Sequence, residues 1–221
     1  MKFHKKTLLI TSLVTLLPML WGVLLWNRLP TSLTTHWNVC GQADGSSSRG
    51  FVVFGMPLVL LAFQWFGIVA TRLDSKNRDK NRKPLTLMLW VIPILSNVVI
   101  GMMYAVSLGV GISPVGAILV FMGILFVAIG NYLPKCRQNS TLGIRVPWTL
   151  GSEENWNVTH RFAGKVWVAG GAVMVALALL PASVQIWAML GDVVGMIALP
   201  TLRSYRYHRR EKAEKSLDGG A

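Results

Sequence analysis

The chain has 221 residues, of which 52% are hydrophobic and only 14% are charged, and its mean hydropathy is +0.49. A soluble domain carries nearer a quarter of charged residues, so this composition argues against an ordinary soluble protein. The formal net charge of +13 raises the question of nucleic-acid binding. Lys and Arg lie outside the apolar runs, however, which is the pattern of a membrane protein and indicates no direct nucleic-acid partner.

Apolar runs that are long enough to cross a bilayer recur along the chain. They predict an all-α integral membrane protein built as a bundle of about six transmembrane helices. The predicted spans are residues 7–26, 52–72, 85–107, 114–133, 165–181 and 185–202. The first resembles a secretory signal, but no small-residue cleavage site follows it, which favours a retained span. The last two are short, and they also fit a thin or partly buried hairpin.

The positive charges divide unequally between the two sides of the predicted bundle. All but two of the 22 Lys and Arg fall in segments on one side, and only Arg28 and Arg49 fall on the other. The positive-inside rule therefore places both termini in the cytoplasm. Cys40 and Cys136 then lie on opposite sides, so no disulfide is expected between them. The same charges predict attraction to anionic membrane lipid.

One sizeable loop, residues 27–51, is predicted on the outer side. Alternating residues over 32–39 predict a short extended piece, and Gly41, Asp44 and Gly45 provide turn chemistry. His36 and Asp44 are too few for a metal site, and hydrogen bonding within the loop is the favoured interpretation, with an acid/base pair as the alternative. The candidate outer-loop residues are Pro30, His36, Gly41, Asp44 and Gly45.

The longest interruption of apolar sequence is residues 130–164, here named the signature segment, which is predicted on the cytoplasmic side. Pro134 ends the preceding helix, and Gly143 and Pro147 force a turn. Ser152 has the character of a helix N-cap. A short helix from Glu153 to about Phe162 is expected to follow it.

That helix would place Trp156 and His160 on one face. The functional interpretation is a partner-binding surface, and the alternative is an interfacial amphipathic helix with its tryptophans at headgroup level. The candidate residues are Asn131, Pro134, Lys135, Gln138, Asn139, Gly143, Arg145, Pro147, Trp148, Trp156, His160 and Arg161.

Asp192 is the one carboxylate predicted inside a span. An intramembrane ionisable group suggests a functional site, and its expected partner is Gln64, Asn97 or Tyr104. Helix packing, or a carboxylate that reaches water near the end of a short span, are the alternatives. The glycines at 170, 171, 191 and 195 predict close approach of the last two spans to their neighbours.

The chain divides into an N-terminal membrane half (1–110), a second membrane half with the signature segment (111–205), and a basic to polar cytoplasmic tail (206–221). The signature segment resembles that of the SdpI family of bacterial membrane proteins. The residues that carry the resemblance are Gly130, Asn131, Tyr132, Leu133, Pro134, Lys135, Gln138, Asn139, Gly143, Ile144, Arg145, Pro147, Trp148, Thr149, Leu150, Trp156, Thr159, His160, Arg161 and Gly164. Val146 and Cys136 depart from the family pattern, which has Thr and an aliphatic residue there.

The outer loop resembles a small uncharacterised domain that is often found in the N-terminal half of these proteins. The resemblance implies a multi-pass bacterial plasma-membrane protein that gives immunity against a secreted toxic peptide. It also implies recruitment of a cytoplasmic transcriptional repressor in signal transduction. No cofactor or metal is expected. The alternatives are a membrane enzyme using His160 with Glu153 or Glu154, or a small transporter using Asp192, although the chain lacks G-x-S-x-G and H-E-x-x-H.

Overall fold

The computed structural model describes residues 5–38, 40–73, 82–139 and 143–218. This part of the chain forms helices joined by short connections, together with one two-stranded sheet. It separates into two compact units. Unit 1 contains residues 1–121 and 178–186, and unit 2 contains residues 122–177 and 187–221.

Unit 1 is built on the helices α1 (Lys5–Leu24), α2 (Met56–Leu73) and α3 (Arg82–Ser107). Their outward faces are apolar, and a few polar side chains are buried between them. Gln64 Nε2 donates to Thr11 Oγ1 at 3.0 Å, and Gln64 Oε1 accepts the hydroxyl of Thr15. Ser96 Oγ donates to the Thr15 carbonyl at 2.8 Å. These bonds tie α1 to both neighbours, because a polar group without a partner is costly in an apolar interior.

The outer loop folds as an antiparallel hairpin of β1 (Ser32–Trp37) and β2 (Ala43–Ser48). The predicted extended piece is confirmed over β1, while residue 39 lies outside the described residues. Asn38 Oδ1 accepts the backbone N–H groups of Cys40 and Gln42, and Gly41 adopts a positive φ of 76°. Asn38 and Gly41 therefore belong to the turn, whereas Asp44 and Gly45, predicted as turn residues, belong to β2.

The hairpin is anchored to the helices of unit 1. Leu33 is fully buried and packs in one cluster with Val52, Val53 and Ile100. A π-helical turn, Phe51–Gly55, leads from β2 into α2. The outer loop is thus packed on the helical core. The predicted all-α class holds for the rest of the described chain, and the β-hairpin is the exception.

The helix α4 (Pro114–Tyr132) continues from unit 1 into unit 2, which also holds α5 (Pro147–Gly151), α6 (Glu153–Leu177) and most of α7 (Ala182–Asp218). Two glycine pairs bring α4 and α6 into backbone contact. A Cβ on Gly123 would lie 2.6 Å from the Gly171 carbonyl oxygen, and one on Gly130 would lie 2.9 Å from that of Gly164. Each pair needs glycine on both helices because any side chain would push the backbones apart.

The glycine prediction is therefore confirmed only in part. Gly170 packs against Met196 of α7, and Gly171 packs against α4. At Gly191 and Gly195, apart from the neighbouring part of α7 itself, no atom of the described residues lies within 4 Å of where a Cβ would be. These two glycines do not mediate close packing within the described chain.

Five stretches within the described residues are long and apolar enough to span a membrane: Lys5–Leu24, Phe51–Ala70, Leu89–Ser107, Pro114–Lys135 and Ala182–Glu214. The helix α6 is not among them, because its first half is polar. The predicted short helix to Phe162 and the predicted span 165–181 are one continuous helix, since no proline separates them. The predicted last span and the start of the tail are likewise the single helix α7.

Candidate functional site

The signature segment starts where α4 ends. A 3-10 turn, Leu133–Lys135, follows Tyr132 directly, as Pro134 predicted. The Pro134 ring packs on Gly164 of α6, where a Cβ would lie 2.7 Å from the Pro134 Cγ. The Lys135 ammonium lies 5.2 Å from the centre of the Tyr132 ring, within cation–π range. The chain thus stays in contact with α6 as it leaves α4.

Trp156 of α6 holds the connection that follows the 3-10 turn. Its side chain is fully buried, and its indole N–H donates to the Cys136 carbonyl at 2.8 Å. The His160 ring stacks on it, with 4.0 Å between ring centres and 18° between planes. Burial also raises the pKa of the Cys136 thiol. The predicted shared face of Trp156 and His160 is therefore present, and it points into the protein.

His160 of α6 holds the part of the signature segment that precedes α5. Its Nε2 accepts the backbone N–H of Ile144 at 3.0 Å, so Nδ1 carries the ring proton and lies 2.8 Å from the Trp156 carbonyl. Burial lowers the pKa of His160, which the bond to Trp156 partly opposes. Gly143 has a φ of 111°, and a Cβ there would collide with the imidazole. A neutral His160 and a glycine at 143 are therefore needed together.

A second set of bonds closes α5. Thr149 Oγ1 accepts the Val146 N–H at 3.1 Å and lies 2.8 Å from the Ile144 carbonyl, to which it can donate. Gln138 Nε2 donates to the carbonyls of Thr149 and Leu150 at 2.7 and 3.0 Å. These side chains form hydrogen bonds with backbone N–H and C=O groups that have no partner within a helix of only five residues.

The candidate residues of the signature segment separate by burial. Three are interior: Asn139, Trp156 and His160, with the Asn139 amide donating to the Arg137 carbonyl at 2.7 Å. Two, Gln138 and Trp148, are half-buried. The exposed ones are Asn131, Pro134, Lys135, Gly143, Arg145, Pro147 and Arg161.

Residues of α7 complete the site, and sequence reasoning did not find them. Trp148 meets the Tyr205 ring edge-on at 5.4 Å and stacks on His208 at 6.1 Å. Ser152 Oγ accepts the Asn155 N–H at 3.2 Å, which confirms the predicted N-cap, and it donates to Glu211 Oε1 at 3.1 Å.

A buried pair of polar residues, Asn155 of α6 and Ser204 of α7, adds to the contact between these two helices. The Ser204 hydroxyl donates to Asn155 Oδ1 at 2.7 Å, and Asn155 Nδ2 donates back to the Ser204 carbonyl at 3.2 Å. The only available signal was that α7 continues past the apolar run without a helix breaker.

The buried side chains of this site hold the signature segment in shape. Both nitrogens of His160 are occupied by the fold. No group of three or more His, Cys, Asp or Glu suited to a metal ion occurs among the described residues. The exposed Glu153 and Glu154 lie in the first turn of α6, where the helix dipole favours anions.

Asp192 lies on α7 beside Gly170, where a Cβ would be 3.2 Å from its Oδ1. Its Oδ2 is buried without a hydrogen-bond partner within the described residues. The three predicted partners bond elsewhere in unit 1: Gln64 to α1, the Asn97 amide to the Val14 carbonyl at 2.8 Å, and the Tyr104 hydroxyl to the Pro18 carbonyl at 3.1 Å.

In the hairpin, His36 Nδ1 lies 2.5 Å from Asp44 Oδ1, and both side chains are exposed, in line with hydrogen bonding within the loop. Gly45 is the cross-strand partner of His36, and a Cβ there would lie 2.9 Å from the His36 Cβ. Pro30 is exposed at the start of the loop. Arg49 anchors the base of the hairpin. Its guanidinium donates to the carbonyls of Trp26 and Leu29 at 2.7 and 2.9 Å.

Long apolar helices, with a polar segment folded onto the end of one of them, define the class as a helical membrane protein. Residues 135–204 match the SdpI/YfhL protein family, and residues 13–61 match a domain of unknown function (DUF1648). The chain is 28% identical over 208 residues to "Immunity protein SdpI" of Bacillus subtilis (strain 168), covering 91% of this chain and 96% of that protein. No solved structure matches. The match over residues 135–204 confirms the resemblance to the SdpI family that the signature residues predict.

Proposed function

We propose that the chain is a non-enzymatic immunity and signal-transduction protein of the bacterial plasma membrane. It protects the cell from a secreted toxic peptide, and it recruits a cytoplasmic transcriptional repressor. The observation that carries this proposal is the similarity to an immunity protein over nearly the whole length of both chains. Resemblance confined to one segment would support a shared module only.

The proposed topology has six membrane helices, α1 to α4, α6 and α7, with both termini in the cytoplasm. Its support is the distribution of Lys and Arg, which leaves only Arg28 and Arg49 on the outer side. In this topology the hairpin faces outward and the signature segment faces inward. The polar first half of α6 then lies at the inner surface, and its second half crosses the membrane beside α4.

The hairpin is the proposed contact for the toxic peptide. It is anchored at its base by Arg49, whose guanidinium also lies 4.2 Å from the Trp26 ring centre. Exposed polar residues of both strands, His36 and Asp44 among them, are presented beyond that base. A pre-formed hairpin binds a peptide with a smaller loss of chain entropy than a disordered loop would.

The signature segment is the proposed contact for the repressor. Arg145 and Arg161 are exposed, and Trp148, three residues after Arg145, is half-buried. Cations and tryptophan are frequent anchors of protein interfaces, and they suit an acidic partner surface. Trp156 and His160 contribute indirectly, by holding the segment in shape.

A survival assay tests the proposal. A toxin-sensitive bacterium expressing the chain is challenged with candidate secreted peptides, beside variants Arg145→Ala, Arg161→Ala and the control Lys165→Ala. Lys165 is also an exposed cation on α6, one turn beyond Arg161. We expect protection by the wild type and the control, and its loss in the two arginine variants at equal membrane abundance.

Two outcomes would count against the proposal in different ways. Full protection by both arginine variants would remove the signature segment from the function while leaving immunity in place. No protection by the wild type against any peptide tested would contradict immunity itself.

A further inference from the structure

A groove in unit 2 runs between the first half of α6 and residues 199–210 of α7. Its cavity volume is about 420 Å³. Val158, Phe162 and Leu202 form an apolar floor, and Arg203, Arg206 and Arg210 form a cationic wall. None of these residues takes part in the contacts that hold the signature segment.

The apolar and cationic halves follow one another along α7. Positions 199 and 202 are leucines, and positions 203, 206 and 210 are arginines. The spacing of three and four residues places the three arginines on one face of the helix. The groove is therefore apolar at one end and strongly positive at the other.

Within the described residues, no carboxylate forms an ion pair with Arg203, Arg206 or Arg210. Three acids lie nearby: Glu154 bonds to the Tyr207 hydroxyl, Glu211 accepts from Ser152, and Glu214 is exposed to solvent. Guanidinium groups bind phosphate oxygens through paired N–H donors.

Arg203 is already oriented for such a ligand. Its guanidinium carbon lies 4.6 Å from the centre of the Phe162 ring, which holds the group in place by a cation–π contact. Fixing the side chain in advance reduces the entropy that is lost when a ligand binds.

The groove also lies at a suitable depth for a lipid. The candidate span Ala182–Glu214 has 33 residues, whereas about 20 helical residues cross a hydrocarbon core. The apolar part of this stretch ends at Leu202, so the three arginines follow at headgroup level and the floor faces acyl chains.

We propose that this groove binds one anionic phospholipid, with its phosphate on Arg203, Arg206 and Arg210 and an acyl chain along Val158, Phe162 and Leu202. This binding goes beyond the immunity function and does not depend on it. It would stabilise the contact of α6 with α7 on which the signature segment rests.

The test uses the full-length chain in detergent, titrated with phosphatidylglycerol or phosphatidylcholine and followed by native mass spectrometry. We expect Arg206→Gln with Arg210→Gln to weaken phosphatidylglycerol binding by roughly tenfold or more. The matched control is Arg209→Gln with Lys212→Gln, which removes two cations from a different surface of the same helix. The control should weaken binding by less than about threefold, because it leaves the groove intact.

A second variant tests the apolar floor. Leu202 is 53% exposed, so Leu202→Ser should leave the fold unchanged. It should nevertheless weaken binding of the intact lipid by roughly threefold or more.

Three outcomes would overturn the proposal. Equal losses in the two double variants would mean diffuse attraction between the basic helix and any anionic lipid. Glycerol 3-phosphate binding as tightly as phosphatidylglycerol would mean a site for a free phosphate compound. Binding of a polyglutamate peptide, but not of phosphatidylglycerol, lost in Arg206→Gln with Arg210→Gln, would assign the groove to an acidic protein partner.

Discussion

The contact between Gly143 and His160 makes a sharp prediction about the signature segment. A Cβ at position 143 would meet the imidazole, and the φ of 111° is itself unfavourable for any residue with a Cβ. Gly143→Ala therefore has two costs. The backbone strain is about 1–2 kcal/mol, and the collision adds to it.

His160→Ala has costs of another kind. It removes the stack on Trp156, worth about 1 kcal/mol, and the acceptor for the Ile144 N–H, worth about 1 kcal/mol. The space left by the imidazole adds roughly 1–2 kcal/mol. The single variant should therefore lose about 3–4 kcal/mol, which we expect to appear as detachment of residues 143–146 from α6.

The double variant separates these causes. Removing the imidazole removes the collision but leaves the backbone strain at 143. We therefore expect the double variant to be less destabilised than the sum of the single variants by about 1 kcal/mol or more. Thermal unfolding in detergent and hydrogen exchange at the Ile144 amide measure the effect. Additive costs, within about 0.5 kcal/mol, would refute the proposed contact.

Two further predictions concern helix packing and pH. Gly171→Ala should cost roughly 2 kcal/mol in detergent unfolding, because the new methyl group meets the Gly123 carbonyl, whereas Gly191→Ala should change stability by less than about 1 kcal/mol. Because burial lowers the pKa of His160 in the folded state, the unfolded state binds more protons below pH 6.5. Thermal stability should therefore fall below that pH by up to about 1.4 kcal/mol per pH unit, and His160→Phe should remove this component; an unchanged profile would contradict it.

The apolar runs predicted where helices lie, because in a membrane protein length and composition determine a span directly. The N-cap at Ser152 and the helix end at Pro134 were also predictable, since each depends on local backbone chemistry. The break expected between residues 162 and 165 was wrong. Ala163 and Gly164 interrupt the polar sequence without interrupting the hydrogen-bond ladder, and Gly164 instead serves the contact with α4.

Tertiary partners were harder to predict, because they depend on which side of a helix meets a neighbour. Gly171 and Gly191 look alike in sequence, yet only the first contacts another backbone within the described chain. The same limit applies to Trp148, whose neighbours Tyr205 and His208 lie more than fifty residues away, beyond the last predicted span.

The structure also bears on the two interpretations of the signature segment. An interfacial amphipathic helix would place Trp156 among lipid headgroups, but this side chain is fully buried beneath the Cys136 carbonyl. Trp156 and His160 therefore act as internal supports, whereas the candidate cations Lys135, Arg145 and Arg161 are exposed. A partner-binding surface needs such a division, because exposed groups bind most tightly when a buried framework has already fixed their positions. If the framework is loosened by His160→Ala while Arg145 and Arg161 remain, partner binding should weaken without any loss of surface charge.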